Sequence, residues 1–424
     1  MKKRVLKEYI LNNKLDQEIN YINCGKNLEI EKKRYLNLLE KAYSSFGDQD
    51  FKIYSAPGRS EIGGNHTDHQ QGRVLAAAVN MDVVAVTCED KDFVEFISEG
   101  YKIEKIAIND LTLREAEFNT SESLIRGILA KFKLSGYEIG GFKCYSNSNV
   151  LRGSGISSSA AFEVLVATIL NDLYNDNKIS PIEIAQISQY AENVYFNKPS
   201  GLLDQMGCSV GNFVAIDFRD LKNPIVEKIN FDFANSGLNL VLVDTKGDHA
   251  ELSDEYGMMP KEMKEVANYF NKDVLLDVTL EDVISNTKNI RKVTSDRAIL
   301  RAIHFINETA RVVTEVNALK NNNIDEFLNC VIESGYSSYM YLQNVYSPND
   351  YLNQELSLAL CISEQLLKGK RGAYRVHGGG LAGTIQAFVP DELLNEYTST
   401  LDSIFGEGSC KIISIRPVGG YRLV

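Results

Sequence analysis

Two stretches of this chain collect side chains whose types and spacing suit ligand binding. Residues 150–163, VLRGSGISSSAAFE, set Gly153 and Gly155 ahead of Ser157, Ser158 and Ser159, and an apolar run follows. Glycine lets the backbone turn tightly and bring its N–H groups close to a ligand. A helix starting there adds its unpaired N–H groups and the positive end of its dipole. Together they make an anion site, with phosphate the usual occupant, and serine hydroxyls can bind phosphate oxygens or a metal ion. The loop has neither the Gly-Lys-Ser/Thr of a P-loop nor the third glycine of a dinucleotide fingerprint. Taken alone, such a Gly/Ser turn more often does no more than cap a helix.

The second stretch is the polar segment 58–69, GRSEIGGNHTDH, set between apolar β-rich runs. It collects Arg59, Glu61, Asn65, His66, Thr67, Asp68 and His69 among glycines, and a polar loop between strands is a usual place for a site. Three readings fit it. One is a solvated hairpin connection. Another is a metal site through His66 and His69, which lacks a third ligand of matching spacing. The third is a cradle for a polyol, because Asp, Asn and a guanidinium suit hydroxyls that both donate and accept.

Two carboxylates stand apart from the ordinary charged surface. Glu192 lies near the end of a helix that opens at Ser180, with Pro181 at its first position and Glu183 completing a capping box. Turned inward beside a phosphate loop, it is a candidate magnesium ligand. Asp204 follows a Pro/Gly turn in the apolar stretch NKPSGLLDQMGCSVGN, where a buried carboxylate is unfavourable unless it is paired or functional.

The elements that position these residues follow from periodicity. Residues 1–46 read as helix, with Leu11, Leu15 and Ile19 at fourfold spacing. Residues 51–88 read as a strand, the polar loop and further strands, residues 89–140 as edge strands and a helix, and 141–147 as a strand running into the phosphate loop. From Ser157 to Tyr174 the apolar positions follow helical spacing. Residues 238–245 are a buried strand, helices dominate to about 370, and CKIISIRPV is a closing strand. The triple glycine at 378–380 points to close backbone packing or ligand approach.

Composition bounds the function. With 424 residues the chain is long enough for two or three domains. A net charge of −12 without a basic patch argues against nucleic acid. Seven scattered cysteines with no C-x-x-C fit a reducing compartment. The N-terminal stretch lacks the apolar core of a signal peptide, and no apolar run reaches the roughly 18 residues of a membrane span. The expectation is a cytoplasmic protein, a monomer or weak oligomer, with small-molecule partners and neither nucleic acid nor membrane.

Three motifs in order, GRSEIGGNHTDH, GSGISSSAAFE and VHGGGLAGTIQA, resemble the signature motifs of the GHMP small-molecule kinases. Within that superfamily the chain resembles the galactokinases, whose first motif runs Gly-Arg-Val-Asn-Leu-Ile-Gly-Glu-His-Thr-Asp-Tyr. Gly58, Arg59, Gly64, His66, Thr67 and Asp68 match it. GLLDQ at 201–205 and RAIHFINE at 301–308 add to the likeness, which covers the chain from about residue 50 onward.

The resemblance implies an α/β (α+β) fold of two domains, here 1–220 and 221–424, with the active site between them. It also implies a phosphotransferase that moves a phosphoryl group from ATP, with Mg2+, to the anomeric C1 hydroxyl of galactose. Asp204 would be the catalytic aspartate and Arg59 its neighbour. Ser159 and Glu192 would bind magnesium, and Gly153, Ser154, Gly155, Ile156, Ser157, Ser158 and Ser159 would form the ATP phosphate loop. Asn65, His66, Thr67, Asp68 and Tyr256 would meet the sugar.

The departures bear on the substrate. Asn65 replaces the family's glutamate at the sugar's C6 end, His69 replaces a tyrosine, Ser60 and Glu61 replace Val-Asn, and Ala382 interrupts the third motif. YLQNVY at 341–346 lacks the family's acidic pair. Losing the glutamate removes a charge that would repel a C6 carboxylate, so galacturonate is the alternative acceptor. A sensor that binds sugar and ATP without turnover is the alternative of another class. The intact serine run, Glu192 and Asp204 favour an enzyme.

Overall fold

The computed structural model describes residues 1–150, 155–247 and 252–424. The chain opens with three helices, α1 (Lys3–Leu11), α2 (Asp16–Asn23) and α3 (Leu28–Phe46). Then come the long strands β1 (Lys52–Gly63) and β2 (Arg73–Asp90) and the short strands β3 (Phe93–Ser98), β4 (Tyr101–Lys102) and β5 (Ile106–Ala107). Helix α4 (Ser121–Leu134) and β6 (Gly141–Ser148) lead to α5 (Ser158–Tyr174), α6 (Pro181–Tyr190) and α7 (Leu203–Val210). A hairpin of β7 (Phe213–Asp217) and β8 (Ile225–Ile229) precedes β9 (Leu238–Asp244). Helices α8 (Ser253–Tyr269), α9 (Leu280–Ile290), α10 (Asp296–Lys320), α11 (Ile324–Ser337) and α12 (Glu355–Leu367) follow. The chain continues with β10 (Ala373–Val376), β11 (Thr384–Pro390), α13 (Leu394–Phe405), β12 (Cys410–Ile413) and β13 (Tyr421–Arg422).

These strands form a nine-stranded sheet, with β13-β1-β2-β6-β3-β4 in spatial order and β5, β7 and β8 attached, and a four-stranded antiparallel sheet ordered β10-β11-β9-β12. Strands β1 and β2 are buried along nearly their whole length because both faces of the sheet are covered. Alternate side chains point to opposite sides. Ile53, Val84 and Val86 pack against α1–α3, whereas Tyr54, Val83 and Ala85 face the core beneath α4 and α5. Helix α5 is apolar nearly all round because it is buried nearly all round. Helix α6 carries the expected Ser180–Glu183 capping box.

The two sheets share one core. Phe213 lies 6.3 Å from Phe327 and Phe327 5.3 Å from Phe388, ring centroid to centroid, linking β7 through α11 to β11. Buried ion pairs add a second tie. Asp82 is fully buried and accepts from Arg34 Nη1 at 2.7 Å and Arg416 Nη1 at 3.3 Å, with the Ser55 hydroxyl on its second oxygen.

A division at residue 220 falls in the turn of the β7–β8 hairpin, whose strands are paired from Phe213 with Ile229 to Asp217 with Ile225. Strand β13 returns to pair with β1. We propose that the first lobe runs through β8 and takes back the residues after β12. Among the described residues, no helix is long and apolar enough to cross a membrane.

Candidate active site

Arg59 and Glu61 sit on β1, not in the loop beyond it, because the strand continues to Gly63 through two register shifts, between Pro57 and Arg59 and between Glu61 and Gly63. Such bulges re-aim side chains. Arg59 crosses to α7, where Nε lies 2.8 Å and Nη2 2.6 Å from Asp204 Oδ1. Its Nη1 donates to the Gly155 carbonyl, and its backbone N–H donates to the Ile156 carbonyl at 3.0 Å. Gly58 permits this approach, since a Cβ there would stand 2.6 Å from the Ile156 oxygen.

Ser157, left-handed at φ +59°, precedes α5 and donates through Oγ to Asp204 Oδ2 at 2.6 Å. The sequence assigned Ser157 to phosphate; the structure also gives it a carboxylate to hold. Burial raises the Asp204 carboxyl, but the Arg59 charge, the Ser157 hydroxyl and Lys198 outweigh it and leave the pKa below the ordinary value. Asp204 is therefore an anion at neutral pH, with its side chain one-third exposed (33%).

The expected metal-binding pair also comes together. Ser159, in the first turn of α5, lies with Oγ 3.3 Å from Glu192 Oε1. Glu192 occupies a π-helical turn, Ala191–Tyr195, an irregularity frequent at functional sites. Its Oε1 accepts from Lys198 Nζ at 2.8 Å, and its Oε2 from Ser200 Oγ at 2.6 Å and Gln205 Nε2 at 2.7 Å. Gln205 also reaches Glu163 Oε2 at 3.1 Å. Burial first and the Glu192 charge second push the Glu163 carboxyl well above its ordinary range. Lys198, Ser200, Gln205 and Glu163 were not singled out from the sequence; only the Asp-Gln pair of GLLDQ pointed toward them. Gly153 and Ser154 lie outside the described residues. Ser158 is the first residue of α5.

Asp204 opens on a cavity of about 260 Å³ lined among others by Glu61, His66, Asp68 and His69. That is smaller than the pockets of drug-sized ligands. Two cavities of about 440 Å³ lie elsewhere, one beside α4 and α6 and one between α10 and α11, and none of the residues just described lines either. Asp68 makes no side-chain hydrogen bond among the described residues. A Cβ on Gly201 would meet its carboxylate at 2.7 Å, so glycine leaves Asp68 room.

The other sugar-loop residues turn inward. Thr67 is buried, and its hydroxyl lies 2.9 Å from the Gly64 carbonyl and 2.6 Å from that of Arg73, pinning the turn. Asn65 is fully buried. Its Nδ2 donates to Glu61 Oε1 and the Gly378 carbonyl, both at 2.8 Å, and its Oδ1 accepts from Asn344 Nδ2 at 2.8 Å and Ser338 Oγ at 3.2 Å. Both ends of this amide are thus used inside the protein. Tyr256 places its hydroxyl 2.7 Å from the Gly380 carbonyl, as a support of the glycine run. His66 bonds the Gly379 carbonyl through Nε2 at 2.9 Å, whereas both ring nitrogens of His69 are buried without a partner among the described residues. Burial lowers His69 to about 4 and keeps it neutral. Among the described residues no group of three His, Cys, Asp or Glu side chains is placed to hold a metal.

The loss of charge expected from Asn65 is offset four residues away. Glu61 keeps a carboxylate in contact with the Asn65 amide, so amide and carboxylate have exchanged places relative to the galactokinase motif. Arg375, fully buried on β10, bonds Glu61 Oε1 through Nη2 at 3.0 Å.

The chain is similar to known proteins along most of its length. The family model "GHMP kinases N terminal domain" matches residues 123–212, and "Galactokinase galactose-binding signature" matches residues 42–88. A galactokinase of Streptomyces coelicolor is 28% identical over 393 residues, 91% of this chain and 97% of the relative. One of Clostridium tetani is 25% identical over 387 residues, 90% of this chain and 94% of the relative. Among solved structures, Lactococcus lactis galactokinase complexed with galactose superposes with a TM-score of 0.77 at 22% identity, covering 92% of this chain and 99% of that one. A mevalonate kinase does so at 0.59 and 14%, covering 85% and 99%. These structural likenesses establish the fold.

Proposed function

We infer that this chain, a member of the GHMP kinases with the galactokinase branch's sugar-binding signature, transfers the γ-phosphoryl group of ATP to the anomeric hydroxyl of galactose. The observation that carries this reading is Asp204, ionised, held by Arg59 and Ser157 and facing a sugar-sized cavity beside the start of α5.

Phosphoryl transfer depends chiefly on positioning and charge neutralisation. Asp204 is fixed at both oxygens, so it can hold the attacking hydroxyl in line. With its pKa low it is a weak base and a good orienter. Arg59 fixes Asp204 and clamps the carbonyls of Gly155 and Ile156, coupling the sugar side to the phosphate side. The backbone N–H groups and positive dipole end of α5 face the phosphates. Ser159 and Glu192 offer a hydroxyl and a carboxylate, hard oxygen donors of the kind magnesium takes, and would hold that ion. That ion would supply charge neutralisation on the phosphate oxygens.

Asp68 and His66 are proposed as direct sugar contacts. Asn65, Thr67 and Tyr256 are proposed to support the cavity from behind. We further propose that the protein works in the cytoplasm as a monomer or weak oligomer.

The test is ADP release from ATP and Mg2+ with a panel of neutral hexoses, for the parent and Asp204→Asn. Turnover with galactose, reduced by about 100-fold or more in the variant, is expected. Sugar binding without ADP release from any hexose would sink the kinase reading in favour of a sensor.

A further inference from the structure

We propose that Glu61 is the specificity-determining residue of the sugar cavity, and that its carboxylate restricts the acceptor to uncharged sugars and excludes hexuronates. The proposal rests on the kinase reading above and names the acceptor class of that site.

Glu61 lines the cavity from β1 with its side chain about 12% exposed. One oxygen, Oε1, is held by Asn65 Nδ2 at 2.8 Å and Arg375 Nη2 at 3.0 Å. The other, Oε2, makes no hydrogen bond among the described residues. The residues behind Glu61 have no such freedom. The Asn65 amide is saturated at both ends, and Arg375 also donates through Nε to the Val376 carbonyl at 3.0 Å and through Nη1 to that of Ile62 at 2.7 Å. Asn65 and Arg375 are therefore positioning residues, and Glu61 is the group left to meet a ligand.

The charge of the cavity wall points the same way. Glu61, Asp68 and Asp204 all line it, and among the described residues no lysine or arginine does. Arg59 is committed to Asp204 and Gly155, and Arg375 stands fully buried behind Glu61. A sugar hydroxyl entering here finds acceptors, which is what a hydroxyl donor needs. A sugar carboxylate meets three carboxylates and, among the described residues, no cation that is not already ion-paired. Juxtaposed like charges and unpaired desolvated groups are the usual means by which a site rejects the wrong ligand.

The experiment compares galactose, galacturonate and galacturonamide, the last being the uncharged near-isostere of the acid. ADP release gives kcat/KM, and calorimetry gives binding without turnover, for the parent and for Glu61→Gln. The parent should bind and turn over galactose and galacturonamide while discriminating against galacturonate by about 100-fold or more. Glu61→Gln should narrow the preference for galactose over galacturonate by about tenfold or more, through a gain on the acid.

Galacturonate used as well as galactose by the parent would overturn the proposal. So would equal rejection of acid and amide, which would make shape the cause, or an unchanged preference in a folded Glu61→Gln. The acid–amide comparison on the parent needs no variant to fold. Charge discrimination in binding without any ADP release would sink the kinase reading and leave the role of Glu61 standing.

Discussion

Replacing Gly155 with alanine tests whether the phosphate side and the catalytic aspartate are one mechanical unit. Gly155 has φ +72°, a conformation that disfavours an L-residue by about 1–2 kcal/mol. The new Cβ would stand 2.9 Å from His377 Nδ1, 3.1 Å from its Cε1 and 3.3 Å from Thr384 Oγ1. His377 is buried, and its two ring nitrogens lie 3.1 Å from the hydroxyls of Thr384 and Ser60, so the ring is held on both sides. Overpacking against such a wall costs about 1–3 kcal/mol. The two effects sum to about 2–5 kcal/mol of lost stability.

The Gly155 carbonyl also receives Arg59 Nη1, and Arg59 holds Asp204. A misplacement approaching 1 Å is enough for about a 100-fold loss of rate, so kcat/KM should fall by about 10–100-fold. Denaturant unfolding and ADP release read the two effects. A second substitution, His377→Ser, removes the wall. A double-mutant cycle should then show a favourable coupling of about 1–3 kcal/mol, leaving the backbone part uncorrected. If Gly155→Ala stays within about 0.5 kcal/mol of the parent, or His377→Ser gives no coupling, the argument is wrong.

Asp82→Ala should lower stability by about 3–5 kcal/mol, because it strands Arg416, fully buried, without a counterion; an unchanged urea midpoint would contradict this. Glu315 is fully buried with both oxygens lacking a partner among the described residues. Burial first and Glu308 second raise its carboxyl well above the ordinary value. A folded pKa above the unfolded value of about 4.3 means that the stabilising proton is fully bound below that value and lost as pH rises toward the folded pKa. Glu315→Gln should therefore gain thermal stability over the parent more at pH 7.5 than at pH 5, and a pH-independent difference would refute the assignment. Glu192→Gln should raise the Mg2+ concentration for half-maximal ADP release by about 10–100-fold; an unchanged magnesium requirement would remove Glu192 from the metal site.

Several elements that frame the candidate site could be seen in the sequence because their signals are local. The start of α5, the capping box of α6 and the buried strand β9 each write their signal within one run of residues. What stayed hidden are contacts across long separations. Nothing near Asn65 announces that Asn344 and Ser338 saturate its amide, and nothing in VNMDVVAVTC marks Asp82 as the meeting point of Arg34 and Arg416. The polar segment after Pro57 read as loop because its side chains are polar. Bulges let β1 continue through it and turn those side chains inward. The charge argument drawn from Asn65 leaves out Glu61, because nothing local shows that its carboxylate lies against the Asn65 amide. A domain boundary set by a change of pattern cannot register a chain that leaves a sheet and later returns to it.

That return has a consequence for synthesis. Strand β1 is flanked by β2 on one side and by β13 on the other, with Tyr54 paired to Arg422 and Ser55 to Tyr421. On the ribosome, β1 emerges early and β13 after every other element of the fold. Until then the edge of β1 offers unpaired backbone groups to any passing strand, and Asp82 lacks Arg416. A nascent chain therefore leaves this part of the β1 edge uncovered through nearly all of translation, the interval in which incomplete folds associate wrongly. Helices α1–α3, made first and packed over the outer face of β1 and β2, are placed to shield that face during the wait.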